Sequence, residues 1–227
     1  MARYRRLETL TLMKEIGVVP IFYEGDVEVA RQLVAACADG GARLVELTNR
    51  GDRAVDVYRQ VDAWCAQNRP EIVLGAGTIV DAPTAALYVA AGANFIVGPQ
   101  LDEDVARLCN GRKIPYLPGC ATVTEIHRAH LLGVEICKLF PAAEIGGPSF
   151  VKNLRAPLPW ADIMITGGVQ PTRESLGAWF AAGAACVGMG SNLFVPELVV
   201  KHDFAGITAK VKEILALIRE VRKAPTS

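Results

Sequence analysis

The chain has 227 residues, 51% of them hydrophobic, and its 24 lysines plus arginines balance 24 aspartates plus glutamates. A chain of this length can bury a large core, and single α/β barrels run at about this size or a little longer. The even charge, with no basic block, argues against nucleic acid as a main partner, and no apolar run is long enough to cross a bilayer.

Residues 5–15 read as a short leading helix, and VVPIFY (18–23) as the first strand. DVEVARQLVAACADGG carries apolar residues at helical spacing and stops at a Gly pair suited to a C-terminal cap. ARLVELT (42–48) is the second strand, with a helix over 52–68 after it. EIVLGAG (71–77) is the third, and Asp81 is placed to cap the helix that follows. NFIVG (94–98) is the fourth strand, with a helix over 101–110, and IPYLPG (114–119) is the fifth. TVTEIHRAHLLG opens with a capping box, Thr122 with Glu125. EICKLFPA (135–142) holds the sixth strand and ADIMITGG (161–168) the seventh. PTRESLGAWFAAG is the next helix, and ACVGMG (185–190) the eighth strand. From Phe204 onward, Ile207, Val211, Ile214, Ile218 and Val221 recur at helical spacing, the apolar stripe of a closing helix.

Eight short apolar strands alternating with helices predict an α/β protein whose parallel sheet closes into a (β/α)8 TIM barrel. A short N-terminal helix precedes it and a C-terminal helix closes it. The strands lack polar alternation, as expected when both sheet faces are covered. A doubly wound open sheet is the alternative, but its glycine fingerprint after the first strand is missing. With no linker or low-complexity segment, residues 1–227 are expected to form one domain. MARYRRLETL is not followed by an apolar core of signal-peptide length. The six cysteines are scattered without a CxxC pair, which fits a reducing cytoplasm better than disulfides or a zinc site. His127 and His130 stand at i, i+3 with no third ligand nearby in sequence.

In such a barrel the active site lies at the carboxyl ends of the strands. Alternation along the sixth strand puts Ile136, Lys138 and Phe140 on one face, and Cys137 and Leu139 on the other. A lysine carried inward among apolar neighbours is costly to keep charged, so its pKa should fall and its lone pair become available to a carbonyl. The plainer reading is a strand-end lysine whose ammonium reaches water. Glu46 shares a face with Leu44 and should point inward, where an unpaired carboxylate is rarely tolerated without function. An ion pair with Lys138 is its structural alternative. Arg50 follows the second strand and Thr78 the third; a surface turn and a turn closure are their plainer readings. Glycines after strands seven and eight, Gly167-Gly168 and Gly188-Met189-Gly190-Ser191, let backbone N–H groups approach a phosphate. Tight turns use glycine too. Gly146-Gly147 after strand six is placed to widen the same cradle.

With these residues in place, the chain resembles the class I aldolases for 2-keto-3-deoxy-6-phosphogluconate and 4-hydroxy-2-oxoglutarate. The stretches that carry the likeness are VVPIFY, VELTNR, GAGTIVD, PYLPGCATVTE, CKLFPA, ITGGVQP and VGMGSNLF, in the family's order from about residue 17 to 196. The resemblance implies that Lys138 is the Schiff-base lysine and Glu46 the general acid/base. It implies that Arg50 and Thr78 bind the substrate carboxylate, while Gly167, Gly168, Gly190 and Ser191 hold a phosphate. No cofactor and no metal are implied, and the usual assembly is a homotrimer. Three features depart from the family: FPAA stands for FPAE, Asn49 precedes Arg50, and Gly51-Asp52 replaces a commoner threonine. GGPSFVKNLRAPLP and PGCAT resemble the related 6-phosphogalactonate aldolases.

The activity so implied is a retro-aldol cleavage of a keto acid to pyruvate plus an aldehyde, glyceraldehyde 3-phosphate or glyoxylate. Three alternatives stand beside it. One is the galactonate epimer as substrate. A second is a phosphate-binding isomerase or synthase with no covalent step, in which Glu46 is the base and Lys138 an electrostatic partner. The third is a non-catalytic phospho-ligand binding protein.

Overall fold

The computed structural model describes residues 2–223. It opens with α1 (Arg6–Ile16), β1 (Val18–Phe22), α2 (Val27–Asp39), β2 (Leu44–Thr48), α3 (Ala54–Asn68) and β3 (Val73–Gly77). Next come α4 (Ala82–Ala90), β4 (Ile96–Val97), α5 (Glu103–Arg112), β5 (Tyr116–Leu117), β6 (Gly119–Cys120) and α6 (Val123–Leu131). The chain ends with β7 (Ile136–Leu139), α7 (Gly147–Arg155), β8 (Asp162–Thr166), α8 (Arg173–Ala181), β9 (Cys186–Met189), α9 (Pro196–Val200) and α10 (Phe204–Lys223).

All the strand pairs are parallel, in the order β5-β4-β3-β2-β1-β9-β8-β7-β6. The two ends of that order are one stretch of chain. Pro118 separates β5 from β6, and having no N–H it cannot donate to the ladder. Its carbonyl still accepts from the Lys138 N–H at 2.9 Å. β5 therefore pairs back to β4, β6 pairs on to β7, and the sheet closes into a (β/α)8 barrel. The fifth strand of the sequence reading is thus two short pieces around a proline.

Two apolar layers hold the barrel. Strand residues facing outward, such as Val45, Leu74, Cys137, Ile163 and Val187, pack under the helices. Those facing inward, including Val19, Leu44, Val73, Phe95, Ile136 and Met164, fill the interior at the amino end. Leu10 and Met13 of α1 join this inner cluster, so the leading helix plugs the bottom of the barrel. Several helix starts follow the expected chemistry. Asp26, Asp81 and Asp102 each accept backbone N–H groups at an N-cap, and Thr122 with Glu125 forms the capping box. All six cysteines are free and buried. No helix among the described residues is long and apolar enough to cross a membrane.

Candidate active site

Parallel pairing carries the inward positions around the barrel in register. Glu46 is level with Gly75 on β3, and Lys138 with Gly119 on β6. Both charged residues therefore have glycine on one flank, and at each glycine a neighbour occupies the place of a side chain. Phe95 fills the space a side chain on Gly75 would take, and the Pro99 carbonyl fills that at Gly119. Glu46 leans toward the carboxyl end across Gly77, where a Cβ would overlap its carboxylate.

Glu46 is 1% exposed and Lys138 7%. No ion pair among the described residues joins them. They interact through the field instead. Burial pushes the Glu46 carboxyl above the ordinary carboxylate range, while the charges of Lys138 and Arg50 pull it back. Burial lowers the Lys138 amine below its ordinary range; Glu46 opposes that shift and Arg50 adds to it. Glu46 Oε2 is buried with no hydrogen-bond partner, a cost that a proton or a substrate hydroxyl would relieve. The amine of Lys138 lies 4.6 Å from the centre of the Phe140 ring.

Above this pair opens a cavity of about 560 Å³ at the carboxyl ends of β1, β8 and β9. Arg50, Gly167, Gly168, Gly190 and Ser191 all line it, as does Phe140. Lys138, Glu46 and Thr78 do not; Lys138 and Glu46 lie buried in the barrel interior, and Phe140 links the lysine to the cavity. Thr78 contacts Arg50, whose Nε donates to its Oγ1 at 3.4 Å. Its φ is 59°, a left-handed backbone that β-branched residues rarely adopt. Strain of this kind, on the order of 1–3 kcal/mol, concentrates at ligand sites.

The two glycines after β8 owe their identity to the backbone. Gly167 and Gly168 have φ of 94° and 76°, where a side chain would be strained. A Cβ on Gly168 would also overlap Ala143, the alanine of FPAA that departs from the family pattern. The loops after β7 and β8 are tied by the Ala142 N–H donating to the Thr166 carbonyl at 3.0 Å. Asn49, a second departure, accepts from the buried Tyr88 hydroxyl at 2.9 Å and so anchors the turn that carries Arg50. Thr166 Oγ1 is buried and without a partner beside the cavity; the sequence places Thr166 among the polar residues at the strand ends, in Thr166-Gly167-Gly168, but assigns it no role. It is the last residue of β8, directly before Gly167, and that position was its only signal. Among the described residues, no three His, Cys, Asp or Glu side chains gather closely enough to hold a metal ion.

Fold and site together define a (β/α)8 barrel with a buried amine and a buried carboxyl below a cavity floored by glycine loops. A family model described as KDPG and KHG aldolase matches residues 10–210. The 2-dehydro-3-deoxy-phosphogluconate aldolase of Treponema pallidum is 30% identical over 207 residues, covering 91% of this chain and 95% of that one. The KHG/KDPG aldolase of Escherichia coli K12 is 31% identical over 198 residues, covering 86% and 89%. Among solved structures, KDPG aldolase of Legionella pneumophila, with pyruvate captured at low pH as a covalent carbinolamine, superposes with a TM-score of 0.82. It is 26% identical and covers 90% of this chain and 97% of that one. The chain belongs to the KDPG and KHG aldolase family, and is an aldolase in the lyase class.

Proposed function

We propose that this aldolase works through a Schiff base on Lys138 and cleaves 2-keto-3-deoxy-6-phosphogluconate, 4-hydroxy-2-oxoglutarate, or both. The observation that carries the reading is Lys138 itself, buried without an ion pair and with its pKa lowered, in electrostatic contact with Glu46. The carbinolamine captured in the Legionella relative supports an amine nucleophile.

The neutral Lys138 amine adds to the C2 ketone, and loss of water leaves a protonated imine that draws electrons from C3. The Glu46 carboxylate takes the proton of the C4 hydroxyl. The C3–C4 bond breaks, its electron pair passing into an enamine while C4 leaves as the aldehyde. Glu46 returns the proton to C3, and water hydrolyses the imine to release pyruvate and the free amine. A raised carboxyl pKa suits a group that must both take and give this proton. Arg50, with Thr78 beside it, holds the substrate carboxylate in a two-pronged contact that fixes the ketone against the lysine. Gly167, Gly168, Gly190 and Ser191 hold the distal phosphate through backbone N–H groups and a hydroxyl. The reading extends to a homotrimer in the cytoplasm, supported by the family resemblance and checked by light scattering of the purified protein.

The test is pyruvate release from each keto acid by the wild type, Lys138→Ala and Glu46→Gln. Wild-type release from either compound, lost in Lys138→Ala and reduced about 100-fold or more in Glu46→Gln, is the expected result. Turnover retained in Lys138→Ala would overturn the covalent reading.

A further inference from the structure

Four of the five tyrosines commit their hydroxyls to protein acceptors. Tyr4 donates to the Pro70 carbonyl at 2.7 Å, Tyr58 to Leu74 at 3.1 Å, Tyr88 to Asn49 Oδ1 at 2.9 Å and Tyr116 to Gln100 at 3.0 Å. Tyr23, one residue past β1 and 44% exposed, lines the cavity, and its hydroxyl makes no hydrogen bond to protein among the described residues. The hydroxyl rests over Gly51. A Cβ there would overlap both the hydroxyl and the ring, and one on Gly25 would stand 3.3 Å from the hydroxyl. Neither glycine has a positive φ, so the backbone does not require glycine at these positions. What they supply is room. The loops after β1 and β2 each give up a side chain where this phenol lies.

The charge around the cavity sharpens the point. Among the described residues, Arg50 is the only charged one that lines the cavity, and the proposed reaction assigns that residue to the keto-acid carboxylate. The aldehyde half of the substrate then meets neutral groups: the glycine backbone, Ser191 and the phenol. Gly51 directly follows Arg50, so the hydroxyl is seated on the loop that holds the guanidinium.

We infer that Tyr23 is a specificity-determining residue whose hydroxyl hydrogen-bonds an oxygen on the aldehyde half of the substrate, and that Gly51 is glycine in order to seat it. This rests on the aldolase reading and names what that site selects: aldehydes carrying a hydroxyl or phosphate oxygen over bare alkyl aldehydes.

The experiment compares wild type, Tyr23→Phe, Gly51→Ala, Tyr23→Ala and the Tyr23→Ala/Gly51→Ala double variant in three assays. These are exchange of pyruvate methyl protons in deuterated water, condensation of pyruvate with glyceraldehyde 3-phosphate, and condensation with propanal. Tyr23→Phe removes only the hydroxyl and should lower kcat/KM for the phosphorylated aldehyde by roughly three- to tenfold, the weight of one neutral hydrogen bond. Exchange and propanal condensation should hold their wild-type rates. Gly51→Ala should reproduce the selective loss, and add nothing further once Tyr23 is already alanine. Equal losses with both aldehydes, no loss with either, or additive losses in the double variant would overturn the inference while leaving the aldolase reading intact. A wild type that exchanges no methyl protons would overturn both.

Discussion

Lys138 and Glu46 share one condition, burial, which moves their pKa values in opposite directions: the amine down and the carboxyl up. Arg50 acts differently, lowering both. Imine formation needs the amine neutral, so its rate climbs as pH rises through the Lys138 pKa. Removing the Arg50 charge relieves the downward push on each group. Arg50→Gln should therefore move the pH dependence of pyruvate adduct formation to higher pH, read as trapped adduct against pH. A profile shifted toward acid would show that the guanidinium does not act on the pair. Gly77 gives a steric test of the same site, since a Cβ there overlaps the Glu46 carboxylate. Gly77→Ala should lower cleavage about 100-fold, the effect of moving the proposed acid/base Glu46 by an ångström, with an unchanged far-UV spectrum. The inward direction of Lys138 and Glu46 was legible in the sequence because a strand has period two. Thr78's left-handed backbone and Tyr23's place over Gly51 were not, since each depends on which loops meet in space.

At the scale of elements, the α6 capping box is written in the sequence as Thr122 and Glu125 and is built as written. Glu125 accepts from the backbone N–H groups of Ala121 and Thr122 at 2.8 and 2.9 Å, and the Glu125 N–H donates back to Thr122 Oγ1. Thr122→Ala should cost about 1 kcal/mol of stability, seen as a lower denaturation midpoint with kcat unchanged. Elements with a clear period or cap were readable in this way. The break at Pro118 was not, because IPYLPG reads equally well as one short strand. α7 begins at Gly147 after the cap Gly146, both with positive φ, and Pro148 follows, a run that looks like loop until its neighbours are present. α9 spans five residues, too few for a helical period to show.

For the whole molecule, the apolar plug and the cavity of the proposed reaction lie at opposite ends of one barrel. The amino end is closed by α1, whose Met13 is fully buried among the starts of the strands. Met13→Ala should lower stability by about 2–5 kcal/mol, measured by chemical denaturation, while the folded protein keeps its cleavage rate. The carboxyl end carries the cavity and the cradle, and it tolerates the unpaired Glu46 and the strained Thr78 that a stability-driven design would remove. Eight apolar strands made this closed architecture legible, because covered parallel strands read as unbroken hydrophobic runs. The central claim, that the buried Lys138 amine is the nucleophile, is tested most directly by incubating the protein with pyruvate and borohydride and mapping the modified peptide by mass spectrometry. A reduced pyruvate adduct on Lys138, and no such adduct in Lys138→Ala, is the predicted result. An adduct on another lysine, or none in a folded and active wild type, would contradict it.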